Sequence, residues 1–194
     1  MDDERKVPER IRVTKLQEAQ LLDLQAIEAR CAQMFYEIGL TEADVAPRSD
    51  FELARLTRDH DILVAEADHQ PAGFLVWADE APGVAVLATL MVAPAYQRFG
   101  VGTRLLRELG DSASGHGIGY AVTPGWQRAT WAMACLGVRG FIPLEGNAAP
   151  EPLAGWCERR AGQLVPEGQS LWWAKTDGLG TIPGLPRPVP SSSS

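Results

Sequence analysis

The sequence predicts a mixed α/β fold. Strand-like runs fill the stretch from Ile62 to Val92, and beyond residue 100 helical and strand periods alternate, an order that builds a sheet covered by helices. Within this stretch, Val84 to Val92 is almost continuously apolar, as a central strand buried on both faces would be. A Gly-rich turn follows that strand directly and opens into an amphipathic helix.

Taken in order, Ile11-Arg12-Val13 alternates as a short strand, and Lys15 to Tyr36 carries Leu16, Leu21, Leu24, Ile27, Cys31, Met34 and Phe35 on one helical face. Gly39 to Asp50 reads as a loop, with Ser49 or Asp50 capping a second helix through about Asp59. Ile62–Ala67 and Ala72–Ala78, joined by a turn at Asp68–Pro71, form a hairpin, and a second turn at Asp79–Gly83 leads into the central strand. The helix after the Gly-rich turn spans about Val101 to Ser114, with Leu105, Leu106 and Leu109 at core spacing. Then follow a strand at Tyr120–Thr123, a helix at Gln127–Leu136, a strand exit at Gly140–Leu144, a helix at Leu153–Leu164 and a final strand at Ser170–Lys175. The expected organisation is a polar lead at 1–9, one domain at 10–176 and a Gly/Pro/Ser-rich tail at 177–194.

Composition narrows the function. A formal net charge of −7 argues against a sequence-independent grip on nucleic acid or an anionic membrane, both of which need a basic surface. The three cysteines, Cys31, Cys135 and Cys157, have no CxxC spacing and suggest neither a disulfide framework nor a metal site. With a charged N-terminus and no long apolar run, the expectation is a soluble cytoplasmic protein.

Chemistry concentrates at Gln97-Arg98-Phe99-Gly100-Val101-Gly102-Thr103. Glycines let a backbone turn tightly and approach a ligand, and the free N–H groups of a first helical turn, at the positive end of the helix dipole, form an anion site. Close packing of helix on strand is the other use such glycines have. The segment lacks both the Gly-Lys-Ser/Thr of a nucleoside-triphosphate loop and the GxGxxG spacing of a dinucleotide fold.

The order strand, Val92-x-Pro94, Gln97-x-x-Gly100-x-Gly102, helix resembles the signature of the GNAT acyltransferase superfamily, and Gly140-Phe141 resembles its downstream Gly-Phe. The resemblance spans Ile11 to Lys175 and implies a mostly antiparallel mixed sheet with helices on both faces. It further implies an acetyl-CoA site. Backbone amides from Arg98 to Thr103 would take the pyrophosphate, and Leu90, Met91 and Val92 would line the pantetheine arm, one amide holding the thioester oxygen. The activity implied is transfer of acetyl to a primary amine of a small molecule or peptide, directly within a ternary complex, or else acetyl-CoA binding as a sensor without turnover.

The usual catalytic positions differ. Thr89 stands where the family often has a Glu, and Ala132 and Leu136 stand where its Asn and Tyr map. Thr89 and Tyr120 are therefore the candidate catalytic side chains, with Cys135 and His116 as weaker substitutes. Glu37, Glu42 and Asp44 could meet a cationic acceptor or be ordinary solvated loop residues. Trp126 and Trp131 suit core or groove packing, and Trp172-Trp173 puts one ring on each strand face, where an exposed edge could pair two copies as a homodimer.

Overall fold

The first strand, β1 (Ile11–Lys15), is followed after a 3-10 turn by the long helix α1 (Leu21–Tyr36). Lys15 was expected to begin that helix. It instead pairs with Leu63, the last register position of the β1 ladder, and the helix starts six residues later. Two helices follow, α2 (Glu42–Val45) and α3 (Asp50–Asp59). The first lies in the expected loop and is held by Thr41 and Asp44: Asp44 Oδ2 accepts both the Thr41 backbone N–H and its hydroxyl at 2.8 Å. Ser49 caps the second, in a reciprocal pair with Glu52.

An antiparallel meander comes next, β2 (Asp61–Ala67), β3 (Gln70–Ala81) and β4 (Val84–Val92). The second turn is tighter than expected, because β3 runs on through Ala81. The remaining elements are α4 (Val101–Gly115), β5 (Tyr120–Trp126), α5 (Thr130–Gly137), β6 (Ile142–Pro143), α6 (Leu153–Leu164) and β7 (Gln169–Lys175). The computed structural model describes residues 7–145, 149–165 and 167–181. Residues 1–6 of the expected lead and 182–194 of the expected tail lie outside the described residues.

All seven strands join one sheet in the order β1-β2-β3-β4-β5-β7-β6, antiparallel except where β4 meets β5. Helices cover both faces, as expected. On one, Leu105, Leu106 and Leu109 of α4 pack against Leu63, Leu75 and Leu87, with Leu136 of α5 joining them. On the other, Leu24, Ile27 and Cys31 of α1 and Leu53 of α3 pack on Val64, Phe74 and Val76. Farther along that second face α6 supplies Leu153 and Trp156 against Val84, Val122 and Trp173. Strand alternation is what delivers the two sets: neighbours such as Phe74 and Leu75 face opposite layers.

Packed chain continues past the boundary expected at Asp177. Leu179 is buried among the α4 leucines, and Arg107 Nη2 donates to the Gly180 carbonyl at 3.3 Å. Nor is β7 the sheet edge imagined for Trp172 and Trp173. Ile142 and Pro143 of β6 pair with those tryptophans, Trp173 is buried, and Trp172 is half-buried.

Candidate functional site: an opening between two parallel strands

Strands β4 and β5 pair only over Val84–Val86 and Tyr120–Val122. Past Val86, β4 continues along β3 to Val92, while β5 continues along β7 to Trp126. The two strands therefore diverge toward their C-terminal ends and leave an opening in the middle of the sheet.

Ladder alternation decides what β4 presents to it. The Ala93 N–H donates to the Ala72 carbonyl at 2.9 Å, so this is a hydrogen-bonded pair, and two residues back Met91 and Phe74 form the next. Leu90 and Val92 lie between such pairs and turn their backbone groups away from β3, toward the opening. Met91, expected to line the pantetheine arm with them, spends its backbone on β3. Its side chain packs in the α1 layer.

At the wide end of the opening lies the Gly-rich turn. Gly100 caps α4 from the left-handed region (φ 86°), and no side chain caps the helix. The first closed hydrogen bond is Arg104 N–H to Gly100 carbonyl at 3.0 Å. Among the described residues, the amides of Arg98, Phe99, Gly100, Val101, Gly102 and Thr103 find no partner. Arg98 also adopts a left-handed conformation (φ 69°), one that costs a residue with a β-carbon on the order of 1 kcal/mol. A β-carbon on Gly100 would meet nothing within 4 Å, so the space above it is open.

Side chains around the turn brace it. Gln97 Nε2 donates to the Val92 carbonyl at 3.0 Å, tying the turn to the end of β4. The buried Cys31 thiol donates to the same carbonyl at 3.4 Å. Burial and the neighbouring Glu28 carboxylate push that thiol up to about 11 against a small opposing effect of the Val92 bond, so it stays protonated and inert at neutral pH. Thr103 is buried, and its hydroxyl accepts Arg139 Nε at 3.2 Å. Arg139, overlooked in the sequence, thereby sets a cation beside the first turn of α4; Cys135 holds it through its carbonyl at 2.8 Å and its sulfur at 2.9 Å.

Across the sheet, on the α1 side of β4, Thr89 is buried and accepts Arg48 Nη2 at 2.9 Å. Arg48 in turn is ion-paired with Glu28 of α1, which is only 4% exposed. Neither residue was singled out from the sequence. Glu28 had a readable signal, since it falls among Leu24, Ile27 and Cys31 on the apolar face of its helix. Arg48, in a short loop, had none.

Other expected residues lie elsewhere. Tyr120 sits at the closed end, paired with Val84 and stacked edge-on against Trp173 at 5.9 Å. Its neighbours are the α6 layer, and the structure does not bring it to the opening. His116 is exposed at the far end of α4, where its Nδ1 bonds the Ser112 carbonyl at 2.8 Å. Asp44 is occupied as a cap, and its two bonds from Thr41 hold its carboxyl below the usual range. Trp131 of α5 is 40% exposed and meets Phe35 of α1 at 5.3 Å, so the end of α1 borders α5 as well as the turn. No three His, Cys, Asp or Glu side chains gather as a metal site among the described residues, and no described helix is long and apolar enough to cross a membrane.

Residues 22–135, more than half of the chain, match the family model described as the acetyltransferase (GNAT) family. No curated protein matches the sequence significantly. Among solved structures, the chain is similar to a PaiA N-acetyltransferase from Thermoplasma acidophilum in complex with coenzyme A. The TM-score is 0.67 at 18% identity, covering 86% of this chain and 99% of that one. It is also similar to the ribosomal-protein-S18-alanine N-acetyltransferase of Escherichia coli (TM-score 0.61, 18% identity, 86% and 94% covered). A third likeness is to a GNAT family acetyltransferase from Elizabethkingia anophelis with acetyl-CoA bound (TM-score 0.57, 12% identity, 86% and 99% covered). At such identities the likenesses establish the fold.

Proposed function

Since the chain belongs to the GNAT acetyltransferase family, we propose that it moves an acetyl group from acetyl-CoA to a primary amine of a small molecule or peptide, by direct transfer within a ternary complex. The observation that carries this reading is the α4 N-terminus. Its amides from Arg98 to Thr103 are unspent, Gly100 keeps the space above them clear, and the turn stands where β4 and β5 diverge. Those groups suit a pyrophosphate, and the Arg139 cation beside Thr103 suits it further.

Acetyl-CoA would supply an activated thioester. The chain's part is to bind, orient and polarise. The backbone groups of Leu90 and the Val92 N–H, which face the opening, can pair with the amide-rich pantetheine arm as a neighbouring strand would. One such N–H would hold the negative charge that develops on the acyl oxygen as an amine attacks. Orientation of the two reactants supplies much of the acceleration in such a transfer. A cytoplasmic setting accords with three cysteines in no disulfide pattern.

A second reading has a specific observation behind it. Leu136, where the family's Tyr maps, is buried and cannot donate a proton, Tyr120 is distant from the opening, and the Glu28 carboxylate is fully engaged. These favour a domain that binds acetyl-CoA as a sensor without turning it over. Calorimetric titration with acetyl-CoA, together with thiol release from a panel of amines, separates the two. Binding with amine-dependent release establishes the transferase. Binding alone supports the sensor, and absence of binding sinks both.

A further inference from the structure

Arg48 is held from every side. Glu28 Oε2 accepts its backbone N–H at 2.7 Å and Oε1 accepts Nη1. Gln25 Nε2 donates to its carbonyl oxygen at 3.0 Å, and its Nη2 reaches Thr89 Oγ1 at 2.9 Å. Such fixing does not require a stabilising role, because desolvating a buried ion pair costs about what its attraction returns. What four attachments do secure is the direction of a planar cation.

A guanidinium has five N–H donors. Two are spent on Glu28 and Thr89; no described residue accepts from the others, and 29% of the side chain is open to solvent. The Nη2 end of the guanidinium meets Thr89, three positions past the last β4–β5 pair and paired with Val76 of the α1 face. The unspent N–H donors of a fixed guanidinium can meet a carboxylate through charge-assisted bonds, and the cation repels a second ammonium. The one buried carboxylate nearby, Glu28, is already neutralised by the pair.

Resting on the acetyl-transfer reading, we infer that Arg48 binds a carboxylate of the acceptor, so that the acceptor is a small amine that also carries a carboxylate group. Glu28 and Gln25 are positioning residues for it, and Thr89 anchors the guanidinium against β4.

The test uses matched acceptors: amino acids, their carboxamides, and the corresponding amines with no carboxyl group, each followed by thiol release with the full chain. The expected result is a preference for the acid over the carboxamide of about 10- to 100-fold in kcat/KM, the worth of a charge-assisted pair. Because Arg48→Gln alone strands a buried carboxylate and could unfold, it is made together with Glu28→Gln, which removes both charges. That double variant should bind acetyl-CoA as tightly as the natural chain and lose the preference, with kcat/KM for the acid falling to the level of the carboxamide. Equal use of acid and carboxamide by the natural protein overturns the inference. So does a parallel loss with both acceptors in the double variant, or binding of acetyl-CoA with no turnover of any carboxylate-bearing amine. Failure to bind acetyl-CoA at all sinks the acetyl-transfer reading first, which the calorimetry reports separately.

Discussion

The two sides of the β4–β5 opening are built from different materials. On the α4 side the functional groups are main-chain amides from consecutive residues, Arg98 to Thr103, aimed by one helix start and one left-handed glycine. On the α1 side they are side-chain atoms of Glu28, Arg48 and Thr89, brought together from a helix, a loop and a strand across sequence separations of 20 and 41. A site of amides tolerates exchange of its side chains as long as the backbone path is kept and the space above it stays clear. A site of three side chains is lost or redirected by any one substitution, which suits the acceptor-selecting role proposed for that side. The Val92 carbonyl joins the two, accepting Gln97 from the turn and Cys31 from α1.

Gly100→Glu is the sharpest way to break this contrast. The new side chain meets no protein atom within 4 Å of its β-carbon, and the left-handed φ of 86° costs on the order of 1 kcal/mol, so the fold should survive with a Tm lowered by a few degrees. Acetyl-CoA affinity in calorimetry should fall by about 1,000-fold or more, because a carboxylate would occupy the proposed pyrophosphate site. Normal affinity would remove the pyrophosphate from the α4 N-terminus.

On the other side, the order of two truncations is diagnostic. Arg48→Ala strands a carboxylate that is 4% exposed, while Glu28→Ala strands a guanidinium that is 29% exposed. Urea unfolding should show a loss of about 3 kcal/mol or more for the first and clearly less for the second. Equal losses would mean that the pair is not buried as described.

At the junction, the Cys31 thiol titrates near 11 in the folded chain against 9.0 for an ordinary cysteine. Between these values the unfolded chain has already released the proton that the folded chain still holds, so stability should fall as pH rises from about 9 to 11. The slope is at most about 1.4 kcal/mol per pH unit. Cys31→Ala should flatten that part of the profile; an unchanged slope would assign it to other groups.

The smallest effect should come from Ser49→Ala, which removes the α3 cap next to Arg48 and costs about 1 kcal/mol. The same cap holds the Glu52 carboxyl below its usual range, so its contribution is present at neutral pH and lost on acidification below about 4.5. A cap that acts only locally will leave the acid-over-carboxamide preference unchanged. Weakening of that preference would show that α3 also fixes Arg48.

Legibility followed the same divide. The strand block, the helices around Leu24 and Leu105, and the turn at Gly100 were readable because each is announced by a period or by a residue with special backbone freedom. Helix α2 had its capping residues in plain sight, Thr41 with Asp44 three positions on, inside a stretch otherwise read as loop. Tyr120 reads as an acid from its place at a strand start beside a cleft, yet the register puts it where β4 and β5 still pair. Met91 reads as one of a lining triplet with its neighbours, although strand alternation allows only every second residue to face the opening. Glu28 was visible as a charge on an apolar stripe, and nothing local marked Arg48 as its partner.

What the sequence by itself determined is where the turn of unspent amides begins, because the direction of an N–H depends on a few consecutive φ and ψ angles. Only the tertiary structure decided what stands over Thr89. That meeting depends on how α1 packs across the sheet and how the loop after α2 is pinned to it by Gln25 and Glu28. Long-range packing is set by the whole core, and no short window of residues contains it.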